Sequence, residues 1–143
     1  MGGGNYFSSM LPDSQCWVVW DKQRTGGFAD FEVAWTSFNR ASRMFRFMWN
    51  GMLQQDMKNK EFRRHPTQKP VALYEWLLEN FSKNGDKILD THVGSASSLI
   101  ACHRTGHKFV GFEIDEEYYT KAKQRLDAEM AQGTIFDFLG GTE

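Results

Sequence analysis

The apolar residues of this chain alternate between short unbroken blocks and longer stretches of helical spacing, and that alternation marks out its elements. Residues 1–15 are polar and turn-rich. Cys16-Trp17-Val18-Val19-Trp20 is a continuous β-prone block, the pattern of a strand buried on both faces. After a loop over 21–27, residues 31–38 and 44–49 read as two more strands, and the short 39–43 connection predicts an antiparallel hairpin. Residues 50–69 have no clear period and read as a loop. Pro70 suits a first helical position, with Tyr74, Leu77, Leu78 and Phe81 following at helical spacing until Asn84-Gly85 stops them. A strand over 87–90, a helix to about Arg104, Gly106 as its C-cap and a strand over 108–112 come next. Residues 116–130 predict a strong helix, with Tyr119, Ala122, Leu126 and Met130 on one stripe, and 134–138 a last strand or docked tail. The second half reads α-β-α-β-α and the first half is β-rich, so the class is α/β with a doubly wound, mostly parallel sheet.

Length bounds this picture to one domain of 143 residues, with a β-rich part (1–50), a basic loop (51–69) and an αβαβα part (70–143). The net charge of −1 excludes nothing, but its distribution is uneven. Residues 40–69 hold eight Lys/Arg (Arg40, Arg43, Arg46, Lys58, Lys60, Arg63, Arg64, Lys69) against Asp56 and Glu61, while 113–143 hold eight acids against three bases. Such polarity lets a nearly neutral chain present a basic face to nucleic acid. Cys16 and Cys102 lie in apolar runs without metal-ligand spacing and read as reduced core residues, so no metal is expected. No run approaches membrane-spanning length and no signal-peptide pattern opens the chain, which predicts a cytoplasmic protein. The Gly-rich ends, Gly2-Gly3-Gly4 and Gly140-Gly141, look unstructured.

The stretch from Lys87 to Ala101 carries the candidate chemistry. An apolar strand ends in Asp90, a small-residue turn follows (Thr91-His92-Val93-Gly94-Ser95), and a helix begins. Strand, tight turn and helix N-terminus in that order make a ligand cradle, and an acid ending the next strand, Glu113, stands where nucleotide-binding α/β folds grip ribose hydroxyls. Only Gly94 of the cradle is glycine, so the Gly-x-Gly-x-x-Gly of nicotinamide and flavin binders is missing.

His65-Pro66-Thr67-Gln68-Lys69-Pro70, then Ile88-Leu89-Asp90-x-x-x-Gly94-Ser95, then Gly111-x-Glu113-Ile114-Asp115-x-x-Tyr118 resemble, in this order, the amino-methylating DNA methyltransferases. The order is that of the permuted group, catalytic motif before cofactor motifs, which makes N6-methyladenine or N4-methylcytosine in DNA methylation and restriction-modification. Trp17 to Lys22 and Phe28 to Thr36 are similar to the segment after that family's catalytic strand, and phage-like members are the most alike. The resemblance implies a partial Rossmann-like methyltransferase fold and S-adenosylmethionine as cofactor. Asp90, Thr91, His92, Gly94 and Ser95 would wrap its methionine part, and Glu113 would accept from its ribose. Ile114 would pack on the adenine, and Thr67, Gln68 and Lys69 would close the carboxylate end. DNA would meet the basic segment, through Arg43, Arg46, Lys58, Lys60, Arg63 and Arg64 with interleaved aromatics.

Two departures change what the resemblance implies. Ala96 replaces a family glycine, where a positive φ would be costly. The Asp-Pro-Pro-Tyr type of catalytic tetrapeptide is absent, since Pro12, Pro66 and Pro70 are the only prolines and none are adjacent. No catalytic residue is therefore assigned. The expectation is the C-terminal, cofactor-binding part of a DNA amino-methyltransferase, inactive alone, or alternatively a non-catalytic remnant or partner subunit that binds cofactor or DNA. The missing central strand would lie between the 87–90 and 16–20 strands. These would pair directly, or a homodimer partner or complementing N-terminal segment would fill the gap. Gln132-Gly133-Thr134-Ile135-Phe136 also resembles peptides that dock on the replication sliding clamp.

Overall fold

A computed structural model describes residues 3–24, 29–50 and 52–139, except for the side chains of 133–139; Gly2, Gly140, Gly141 and residues 25–28 of the first loop lie outside it. Backbone contacts group into two compact units, Met1–Lys60 and Glu61–Glu143, and the boundary falls inside the basic stretch 51–69.

In the first unit a 3-10 turn (Gly4–Phe7) precedes β1 (Trp17–Asp21), β2 (Phe31–Trp35) and β3 (Arg43–Arg46). The sheet order is β2-β1-β3, with β2 antiparallel and β3 parallel to β1. The hairpin expected between residues 31–38 and 44–49 is therefore not formed. The central place goes to β1, the most continuously apolar segment, and the antiparallel pair is β1 with β2. Cys16, Val18 and Trp20 are buried, whereas Trp17, Val19 and Asp21 are half-covered, so one face is deep and the other partial. Gly4 is needed where it lies: a Cβ there would fall 2.9 Å from the Trp35 amide nitrogen. Residues 49–54, read as the end of a strand and the start of a loop, instead hold a small antiparallel pair, β4 (Trp49–Asn50) and β5 (Leu53–Gln54).

The second unit runs α1 (Val71–Phe81), β6 (Lys87–Asp90), α2 (Ser97–Arg104), β7 (Lys108–Gly111) and α3 (Glu116–Leu139). β6 and β7 are parallel, in register from Lys87 opposite Lys108 to Asp90 opposite Gly111. Ile88 and Phe109 turn inward onto a core of Val71, Leu78, Ile100, Ala101 and Cys102, joined by Tyr74 and Leu126. The helix spacing read from the sequence is right for α1, but its deepest side chains are Val71, Leu73 and Leu78. In α3, Tyr119 and Met130 of the expected stripe are exposed; Ala122 is buried, with Tyr118, Arg125 and Leu126 half-covered beside it. The backbone over 134–138, expected as strand or tail, continues α3.

Thr105 rather than Gly106 caps α2, and Gly106 follows with φ +72°. His107 is buried there and bridges two helix ends: its Nε2 lies 2.9 Å from Ser82 Oγ, the C-cap of α1, and its Nδ1 2.8 Å from Thr105 Oγ1. Both cysteines are free and buried, and burial, then Asp90, pushes the Cys102 thiol up to about 11, an unreactive core thiol.

The gap expected beside β1 is absent, because β1 has a strand on each edge. Among the described residues β6 pairs with β7. No described helix is long and apolar enough to cross a membrane.

Candidate functional site

The turn after β6 is built by Asp90. Its Oδ1 accepts the His92 N–H at 2.9 Å and its Oδ2 accepts the Ser98 hydroxyl, so one carboxylate fixes both the start of the turn and the first turn of α2. The turn then closes on itself, Ala96 N–H to the Val93 carbonyl at 3.1 Å. Two backbone bonds tie it to the end of β7: Phe112 N–H to the Asp90 carbonyl at 2.8 Å and Val93 N–H to the Phe112 carbonyl at 3.1 Å.

Gly94 takes φ +56°, a conformation open to glycine without a Cβ penalty, and its N–H donates to Glu113 Oε2 at 2.8 Å. The turn and the acid at the end of the second strand are thus in direct contact. Glu113 Oε1 accepts from the Asp115 N–H at 3.1 Å. The backbone N–H groups of Asp115, Gly94 and Ile114, with His65 nearby, hold the Glu113 carboxyl below its usual range, so it is a carboxylate at neutral pH. Ile114 is fully exposed beside it, at 101% of its reference area.

The His65–Pro70 segment comes over the same turn. The His65 ring lies 3.7 Å from where a Gly94 Cβ would stand, and packs edge-on to Tyr118 with centroids 4.3 Å apart. Thr67 donates its N–H to His65 Nδ1 at 3.2 Å, and the Thr67 hydroxyl lies 3.0 Å from it. Arg63 donates to the His65 and Pro66 carbonyls. Gln68 is buried and its amide is engaged internally: Oε1 accepts the Arg64 N–H at 2.8 Å, and Nε2 donates to Glu61 and the Phe62 carbonyl. Ser95 is buried, and Thr91 and His92 are exposed with Thr91 Oγ1 2.9 Å from His92 Nδ1.

Of the residues singled out from the sequence, Asp90, Gly94, Ser95, Glu113 and Thr67 are therefore drawn to one place. Those the sequence did not suggest are His65, which covers Gly94, and Tyr118, which packs on His65; Ser98, which completes the Asp90 turn; and the pair Arg125 and Glu61. His65 and Tyr118 belong to the quoted motifs and could have been found there, but nothing local marks Arg125 or Glu61. Ala96, the suspect position, does take the left-handed conformation, φ +63°, while buried completely. Beneath the turn a cavity of about 210 Å³ is lined by Val93, Ala96, Leu99, Gly111, Glu113 and residues of α3.

The six basic residues expected at DNA are divided between the units: Arg43, Arg46, Lys58 and Lys60 in the first, Arg63 and Arg64 in the second. Lys60 is half-buried and the other five are exposed, Arg46 reaching Asp21 at 3.5 Å. Phe45 stacks on Phe47 at 5.6 Å, and Phe62 is exposed. Among the described residues, no group of His, Cys, Asp and Glu could hold a metal ion.

A DNA methylase family model (N6_N4_Mtase) matches residues 16–124. The chain is 37% identical over 87 residues to the type II methyltransferase M2.DpnII of Streptococcus pneumoniae, 61% of this chain and 32% of that protein. It is 44% identical over 71 residues to M.HpaI of Haemophilus parainfluenzae, 50% of this chain and 23% of that one. Over 117 residues it is 31% identical to M2.LlaDCHI of Lactococcus lactis subsp. cremoris, 82% of this chain and 42% of the relative. The chain thus spans less than half the length of these relatives. Among solved structures, the M1.HpyAVI–SAM complex matches 76% of this chain with a TM-score of 0.54 and 26% identity, covering 60% of that structure.

Proposed function

The chain belongs to the DNA methylase family whose members modify the N6 of adenine or the N4 of cytosine, and from that premise we propose that it is an S-adenosylmethionine-binding portion of a DNA amino-methyltransferase, unable to transfer the methyl group by itself. The observation that carries this reading is the Gly94–Glu113 contact, a carboxylate and a glycine turn held together at the ends of two parallel strands. It suits a nucleoside with a charged tail. A carboxylate has about four acceptor positions; the backbone N–H groups of Asp115, Gly94 and Ile114 engage Glu113 without filling them, leaving room to accept from a ribose hydroxyl. Exposed Ile114 offers an apolar surface to a base. Lys69 and Thr67 would meet the carboxylate end, and Asp90, Thr91, His92 and Ser95 would shape the methionine side. Gln68, with its amide engaged internally, would act by holding the segment rather than by touching the ligand.

When bound, the cofactor supplies an electrophilic methyl group. The 143-residue sequence contains no Pro-Pro-aromatic tetrapeptide to grip the target amino group, so this chain would bind and orient but not complete transfer. DNA would be held through Arg43, Arg46, Lys58, Lys60, Arg63 and Arg64.

Calorimetry with S-adenosylmethionine tests the site. Binding by the full chain, weakened at least tenfold in Glu113→Ala, is the expected result, and absence of binding or an unchanged Kd in that variant overturns the assignment. Labelled cofactor mixed with DNA and the purified chain should leave no label on the DNA; incorporation would refute the inactivity.

A further inference from the structure

Both sides of the proposed site end on one guanidinium. Arg125 donates through Nη1 to the Ser95 carbonyl at 2.7 Å and to Ser97 Oγ at 2.9 Å, and through Nη2 to Glu61 Oε2 at 2.7 Å. Glu61 in turn accepts the Val71 N–H at 2.8 Å and the Gln68 side-chain amide at 3.3 Å. The Arg125 and Glu61 side chains are only 12% and 19% exposed. We propose that Arg125 and Glu61 form a positioning clamp that couples the turn over 91–96 to the segment over 65–70, so that the two sides of the cofactor site become ordered together. The proposal rests on the cofactor reading for its functional meaning, not for its geometry.

Each bond of the clamp meets a local need. Pro70, the N-cap of α1, offers no side-chain acceptor, so the Val71 N–H would be an orphan helix donor without Glu61, ten residues upstream. The Ser95 carbonyl belongs to the peptide preceding Ala96, whose φ of +63° is disfavoured for any residue with a Cβ. A charge-assisted bond from Arg125 pins that peptide plane and with it the orientation of the whole turn. Because the pair is largely buried, loss of either partner weakens the hold on the other. A perturbation on the Glu61 side is therefore felt at Ser95, which Glu61 does not touch. Neither residue meets the proposed ligand; both act through the groups they hold.

Two variants of the full chain separate this from a mere brace of the fold. Arg125→Met keeps the apolar stem and removes the donors. Glu61→Gln keeps an oxygen for the Val71 N–H but turns an amide donor toward Arg125, and it is the milder change should Arg125→Met fold poorly. Amide hydrogen exchange is followed in the unliganded proteins. The clamp requires Glu61→Gln to speed exchange over 93–98 at least tenfold, and Arg125→Met to speed it over both 93–98 and 61–71, with β6 and β7 unchanged. Acceleration spread evenly through β6 and β7, or confined in Glu61→Gln to 61–71, overturns it. Titration with S-adenosylmethionine, well below each melting temperature, should give a Kd raised at least tenfold in both variants, and an unchanged Kd also overturns it. If the unaltered chain binds no S-adenosylmethionine, the cofactor reading falls and the exchange result alone decides the coupling.

Discussion

Ala96 and Gly94 stand two residues apart in one turn, both at positive φ, 63° and 56°, yet only one is glycine. Three effects decide what a swap would do. Relief of a left-handed alanine gains roughly 1–2 kcal/mol, losing a buried methyl costs about 0.8 kcal/mol, and the looser unfolded chain costs about 0.5–1 kcal/mol. These nearly cancel, so Ala96→Gly should change unfolding free energy by no more than about 0.5 kcal/mol in denaturant titration. Gly94→Ala adds the left-handed penalty without relieving any, and its Cβ would only reach ordinary contact with His65 at 3.7 Å; a loss of about 1 kcal/mol is expected, together with weaker cofactor binding. The sequence showed Ala96 to be the odd residue because a glycine is expected there by resemblance. It could not show that the backbone keeps the glycine conformation anyway, nor that Arg125, thirty positions away, bonds the Ser95 carbonyl beside it. Glu113 adds a pH signature. Its carboxyl is held below the ordinary value of 4.5, chiefly by the Asp115 N–H, so the folded state binds this proton less readily than the unfolded chain. The stabilisation is then present above the unfolded value and lost as pH falls through the folded one. Glu113→Gln should flatten the acid limb of a stability–pH curve and change little at pH 7 in its slope; an unaltered acid limb would remove Glu113 from the account.

The elements of the second unit were readable because their signals are local. Helical spacing located α1 and the start of α3, Asn84-Gly85 and Gly106 marked ends, and the apolar runs before Asp90 and Glu113 gave β6 and β7 nearly to the residue. Pairing was not readable in the first unit. Residues 31–38 and 44–49 are both β-prone, but propensity does not name a partner, and the chain places the most apolar strand, β1, between them. The end of β7 illustrates how close the elements pack. A Cβ on Gly111 would fall 2.6 Å from Val93 Cγ2 and 2.8 Å from Leu99 Cδ1, distances at which something must move. Gly111→Ala should therefore cost about 1–3 kcal/mol through overpacking of the turn and α2 against β7. The measurement is the urea midpoint with the m-value held; an unchanged midpoint would mean that Val93 and Leu99 shift rotamer freely and that the turn is looser than its hydrogen bonds indicate.

For the molecule as a whole, the residues of the proposed cofactor site all fall within Glu61–Glu143, whereas the basic residues proposed for DNA fall in both units. The charge polarity that suggested a nucleic-acid partner is a property of composition, and composition cannot say whether cations from two units serve one surface. Salt dependence can. Each phosphate neutralised on duplex DNA contributes about 0.9 to the slope of log K against log salt. Arg43 and Arg46 are exposed on β3 in the first unit, and Arg63 and Arg64 are exposed before α1 in the second. If all four meet phosphates, Arg43→Ala with Arg46→Ala should lower the slope by about 2, Arg63→Ala with Arg64→Ala by a similar amount, and the two pairs should be additive. Arg46 also loses its 3.5 Å contact with Asp21, an exposed pair whose removal should leave folding stability within about 0.5 kcal/mol, so a changed slope would report on DNA rather than on the fold. A drop confined to the second pair would restrict the DNA surface to the unit that carries the proposed cofactor site. A drop confined to the first would separate DNA binding from cofactor binding along the chain. An unchanged slope in both would leave the basic segment a solvated face and remove DNA contact from the residues proposed for it.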